Sequence, residues 1–112
     1  MRPQAAKSDE VYMNNYVISN AVSDVLAERQ RQQSVKGFSV QQDDTYIEGE
    51  LAAAAISYIE PMEAGNYWPA DWPAASFKPS DYRRNLVKAT ALLLAELERI
   101  DRQQPCEGAP TK

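Results

Sequence analysis

Trp68, Trp72, Phe77, Lys78, Arg83, Arg84 and Lys88 bring aromatic rings and cations into one short stretch of the chain. Aromatic planes stack on bases or anchor a protein interface, and arginine forks grip phosphate or carboxylate at two points. A helix starting at Ser80 or Asp81 would add free backbone amides that suit an anion. The run Glu28-Arg29-Gln30-Arg31-Gln32 supplies further cations to the same area. These residue types point to binding, with Trp68, Trp72, Lys78, Arg83, Arg84 and Arg29 as the expected contacts. The competing structural reading has the tryptophans packing the loop while the cations are solvated or pair with Asp43, Asp44 or Asp81.

A second constellation is acidic. Asp43, Asp44, Glu48 and Glu50 precede one helical stretch, and Glu96, Glu98 and Asp101 fall late in another. Carboxylates three to five residues apart share a helix face, and facing sets suit Mg²⁺ with substrate phosphates. The alternative reading is therefore a Mg²⁺ site built from Asp43, Asp44, Glu48 and Glu96. Against it, acids at a helix start favour the helix dipole, and Arg99 and Arg102 stand among the later acids. The chain has no histidine, which removes the commonest general base and the usual zinc and iron ligands. Its single cysteine, Cys106, has no motif around it and makes no internal disulfide.

The elements that must position these groups are helical. Apolar spacing over Val11, Met13, Tyr16, Val17, Ile18, Val22, Val25 and Leu26 predicts a first helical stretch beginning at Ser8 or Asp9, broken near Ser19 and Asn20 and closing by Gly37. Thr45 with Glu48 has capping-box spacing and predicts that a second helix starts there. It runs through Leu51, Ala52, Ala55, Ile56 and Ile59 until Pro61 stops it. Four prolines and the large aromatics Tyr67, Trp68, Trp72 and Phe77 then lie between residues 61 and 79, which predicts an ordered loop, since two tryptophans in a floppy segment would expose apolar surface. The last helix should run from Ser80 or Asp81 to about Arg102, burying Leu86, Leu93, Leu97 and Ile100. No sustained period-two alternation is visible, so the expected fold class is all-α, with three or four helices and a structured proline- and tryptophan-rich loop. The expected organisation is one domain over residues 8–104, with flexible tails at 1–7 and 105–112.

Length and charge bound the rest. At 112 residues, with 44% hydrophobic and 25% charged residues, one folded domain is expected and wholesale disorder is not. A formal net charge of −4 without a long basic run makes duplex nucleic acid a poor partner. No apolar stretch approaches the roughly 20 residues of a membrane span, and Met1 to Lys7 lacks the apolar core of a secretory signal. The expected location is a reducing cytoplasm.

Three resemblances add to this. Glu48-Gly49-Glu50-Leu51 is similar to the first acidic motif of MazG-like all-α nucleoside triphosphate pyrophosphohydrolases, which implies the Mg²⁺ alternative. The series Ala27-Glu28-Arg29-Gln30-Arg31-Gln32, Gly37-Phe38, Asp43-Asp44, Gly49-Glu50-Leu51-Ala52, Trp68-Pro69, Lys78-Pro79 and Arg84-Asn85-Leu86-Val87-Lys88-Ala89 resembles a family of small proteins encoded by bacteriophages and prophages. That likeness spans roughly residues 20–102 and implies an accessory protein in a bacterial host cytoplasm. Phe38 stands where the pattern commonly has Trp, and no His lies near Thr45, which weakens a metal site there. The order of Arg, Gly-aromatic, Asp-Asp, proline-bearing loop and Lys-Pro-x-Asp-x-Arg is also similar to the ryanodine-receptor repeat domain, with a longer central loop, and implies a nucleotide-like ligand. We read the chain as a non-catalytic protein without a cofactor that binds a host bacterial protein or a nucleotide-type ligand.

Overall fold

The computed structural model describes residues 11–13, 16–34 and 39–103, with side chains described from Ile18 onward. Two three-residue strands, β1 (Val11–Met13) and β2 (Tyr16–Ile18), pair antiparallel with Val11 opposite Ile18. This corrects the helix expected from residue 8. Val11, Tyr12, Tyr16, Val17 and Ile18 are β-branched or aromatic, types that fit extended backbone, and the apolar spacing that mimicked a helix turn belongs to two short strands. Helix α1 spans Asn20–Ser34 and so begins at the expected break. The Ser19 hydroxyl accepts from the Val22 N–H at 3.2 Å, as a capping residue does.

A single helical turn, α2, follows at Val40–Asp43, with the Ser39 hydroxyl accepting from the Gln42 N–H at 3.0 Å. Helix α3 occupies Glu50–Ile59, five residues later than the capping-box expectation. Thr45 is used otherwise, its hydroxyl donating to the Gln42 carbonyl at 2.7 Å. The chain enters α3 through Gly49 at φ 85°, a left-handed conformation that residues with a Cβ rarely adopt. Pro61 ends α3 as its sequence position requires.

The segment after Pro61 is ordered as short turns around the one-turn helix α4 (Ala64–Tyr67), and helix α5 spans Tyr82–Gln103. The architecture is all-α, with the β1–β2 ribbon as an appendage. Its core lies between α3 and α5, the pair in most extensive contact. Leu51, Ala54, Ala55 and Tyr58 of α3 meet Ala89, Leu92 and Ala95 of α5 there. The small alanines on both sides allow the helices to approach, and Leu51 and Leu92 fill the space between.

Leu93 and Leu97 are not in that core. They are 40% and 59% exposed, whereas Leu92 is 2% exposed. The three consecutive leucines Leu92, Leu93 and Leu94 make both faces of α5 apolar, so periodicity alone does not choose between them. No helix among the described residues is long and apolar enough to cross a membrane. The expected tails, including Cys106, lie outside the described residues.

Candidate anion-binding site

Glu28 on α1 is the hub of the charges between α1 and α5. It is 1% exposed, a costly position for a carboxylate unless partners compensate. Arg31 donates to it from Nε at 2.8 Å and from Nη2 at 2.6 Å, and Gln32 donates from Nε2 at 3.0 Å. Their spacings of three and four residues put both side chains over the same helix face. From α5, Arg84 Nη2 donates to Glu28 Oε1. Burial opposes ionisation of Glu28, but the Arg31 and Gln32 hydrogen bonds and the charges of Arg31 and Arg84 outweigh it, and its pKa falls below the ordinary glutamate value. The hydrogen bond to Glu28 in turn raises the Arg31 pKa.

Cations outnumber this one carboxylate. Lys88 Nζ, on the turn of α5 after Arg84, donates to the Lys78 carbonyl at 2.6 Å and lies 5.4 Å from the Tyr58 ring centroid. Burial lowers the Lys88 pKa, and repulsion from Arg84, Arg31 and Lys78 lowers it further against the pull of Glu28. The Tyr58 hydroxyl accepts from the Lys78 N–H at 3.1 Å, which pins the loop carrying Lys78 against α3. Burial raises the Tyr58 pKa, so this hydroxyl stays protonated at neutral pH. Tyr58 also contacts Phe77 at 4.9 Å and the edge of Trp68 at 6.0 Å. Arg31 and Arg84 keep 36% and 37% of their side chains exposed while paired with Glu28. Three cations around one carboxylate, with Lys78 alongside, form a positive patch in a chain of net charge −4. Such a patch, with an aromatic border, suits a ligand bearing several anionic oxygens.

A second network ties the remaining elements. Arg29 Nη2 donates to Asp43 Oδ2 at 3.1 Å and to Glu98 Oε1 at 3.0 Å, joining α1, α2 and α5. Burial raises the Asp43 pKa, opposed by the charge and hydrogen bond of Arg29. Arg102 donates to Asp44 at 2.7 Å, and Arg99 to Glu96 at 2.8 Å.

Comparison of the chain with family models, curated proteins and solved structures finds no match.

Of the residues expected at a site, Lys78 and Arg84 come together, joined by Arg31 and Lys88. Arg29 is buried in the separate pair with Asp43. Arg83 is exposed and pairs with Asp24 at 2.9 Å. Trp72 is 9% exposed and belongs to the core, against Tyr46 at 4.9 Å and Trp68 at 5.4 Å. Trp68 is half-buried, and its indole N–H donates to the Pro73 carbonyl at 3.2 Å. Three of the four acids of the Mg²⁺ alternative are paired with arginines, Asp43 with Arg29, Asp44 with Arg102 and Glu96 with Arg99, and Glu48 is exposed beside Glu50. Among the described residues no group of three or more acids or thiols is placed to hold a metal. Lys88 and Arg31 belong to the constellation seen in the sequence but not to its six expected contacts, and neither the acceptor role of Glu28 nor Tyr58 was expected there. The signal available for Glu28 was its spacing from Arg31 and Gln32, which makes it an acceptor for both.

Proposed function

We propose that this chain is a non-catalytic binding protein whose ligand is a phosphate-bearing, nucleotide-type small molecule held by Arg31, Lys78, Arg84 and Lys88. The reading is carried by the convergence of Arg31 from α1 and of Arg84 and Lys88 from α5 around one buried carboxylate, with Lys78 of the loop before α5 close enough to Lys88 to repel it. Structural charge pairing calls for one cation per acid, and here the surplus faces solvent beside aromatic rings. Of the two partner classes expected from the sequence, a host protein and a nucleotide-type ligand, this chemistry favours the second. Half-buried Trp68 and Phe77 border the cations on the Tyr58 side and offer apolar planes to a base. The resemblance to phage and prophage proteins supports an accessory role in a bacterial cytoplasm.

Titration calorimetry with inorganic phosphate, pyrophosphate and a nucleoside triphosphate tests this. The expected result is saturable binding that tightens with phosphate number and weakens at least about tenfold in Lys78→Ala, whose exposed side chain leaves the fold intact. An absence of binding by all three compounds would overturn the reading. Release of pyrophosphate from a nucleoside triphosphate with added Mg²⁺ would replace it with the hydrolytic alternative.

A further inference from the structure

Helix α5 is apolar on two opposite faces: one is buried against the rest of the fold, and the other is flanked only along one side by α1 among the described residues. Its inner face buries Val87, Ala91, Leu92 and Ala95. On the outer face, Leu86, Thr90, Leu93, Leu97 and Ile100 follow one another at intervals of four, three, four and three residues. That is the spacing of a helix–helix seam, and over these residues it extends about 21 Å. Leu93 and Leu97 are among the exposed large side chains. Together with Val22, Val25 and Leu26 of α1 they line an open apolar groove of about 560 Å³.

The charges at the two ends of the seam identify what covers it. Arg83 and Asp101 lie eighteen residues apart, five full helical turns, and therefore on the same side of α5. Both are exposed, and Arg83 keeps 59% of its side chain accessible while holding Asp24. A cation at one end and an anion at the other make the seam complementary to itself when reversed.

We propose that two copies of this chain pair antiparallel through the outer face of α5. Setting Leu86 against Leu97 of the second copy also sets Thr90 against its Leu93, small against large. The same register brings Arg83 beside Asp101 of the second copy, and the two-fold repeats that pair at the other end. A parallel pairing would oppose like charges at both ends. Val22 and Leu26 of α1 flank the seam and enlarge the buried surface toward the roughly 800 Å² per partner of a stable interface.

Sedimentation equilibrium of the full chain tests the proposal. The expected mass is twice the 12.6 kDa of one chain, and Leu97→Glu should give the single-chain mass with helical circular dichroism retained, because Leu97 is largely exposed in the isolated fold. Arg83→Glu and Asp101→Arg should each weaken dimerisation at least about tenfold at low salt, and the double variant should recover it. A single-chain mass up to about 1 mM would overturn the proposal, as would a dimer indifferent to Leu97→Glu. A dimer insensitive to both charge reversals would overturn the antiparallel register. A monomer in which the thiol of Leu93→Cys, combined with Cys106→Ser, is shielded from a thiol reagent would overturn the proposal and assign the face to the chain's own N-terminal segment.

Discussion

The guanidinium of Arg29 and the carboxylate of Asp43 lie 3.1 Å apart with 7% and 0% of their side chains exposed, tying α1 to the one-turn helix α2. Only half of each group is engaged in the pair, since Arg29 Nη1 and Asp43 Oδ1 have no hydrogen-bond partner among the described residues. Removing one member strands a buried charge. Arg29→Ala is expected to destabilise by about 3 to 5 kcal/mol, and Arg29→Met with Asp43→Leu by much less. Urea unfolding of the two variants separates these outcomes.

Two buried carboxylates should leave opposite marks on the pH dependence of stability. The Glu28 pKa is lowered, so its stabilisation is present above the unfolded value and is lost as pH falls through the folded one. The Asp43 pKa is raised by burial, so its contribution is present below the unfolded value and is lost as pH rises through the folded one. Unfolding free energies across about pH 3 to 6 should therefore rise less steeply with pH in Glu28→Gln than in the parent, and more steeply in Asp43→Asn.

Neighbouring leucines on α5 should respond very differently to truncation. Leu92→Ala empties a core site and should cost about 2 to 5 kcal/mol. Leu93→Ala, at a position 40% exposed, should cost under about 1 kcal/mol when measured in dilute protein. Equal losses in denaturant midpoints would place the wrong face of α5 inward.

Trp72→Ala should behave as a core substitution, with a loss of about 3 to 5 kcal/mol. Its ring sits against Tyr46 and Trp68 under the proline-rich segment. A thermal melt matching that of the parent would return Trp72 to the candidate binding residues.

At Gly49 an added Cβ would meet no atom of the described residues within 4 Å beyond its chain neighbours, yet φ is 85°. Gly49→Ala should thus cost about 1 kcal/mol, all of it conformational. A neutral or stabilising effect in chemical denaturation would show that the entry to α3 does not need a left-handed residue.

Local signals were enough where a few adjacent residues decide the backbone. The stop at Pro61, the entry to α5 beside Asp81, the start of α1 next to Ser19 and the ordered aromatic segment all follow from proline geometry, capping oxygens and buried ring area. The same locality misled where two conformers share a pattern. Val11 to Ile18 has helical spacing but β-forming types, and Thr45 with Glu48 has a capping box that the chain leaves unused.

Residue types and their spacing were enough for the all-α class, the break before α1, the stop of α3 at Pro61 and the extent of α5. The tertiary structure alone decided which leucine of three adjacent ones enters the core, because that depends on how α5 is rotated against α1 and α3. It alone decided the charge pairings as well. Arg29 and Glu98 are 69 residues apart in the chain and 3.0 Å apart in space, and Glu28 has its two arginines on different helices. Coulombic and hydrogen-bond energies depend on separation through space, which spacing along the chain fixes only within one helix.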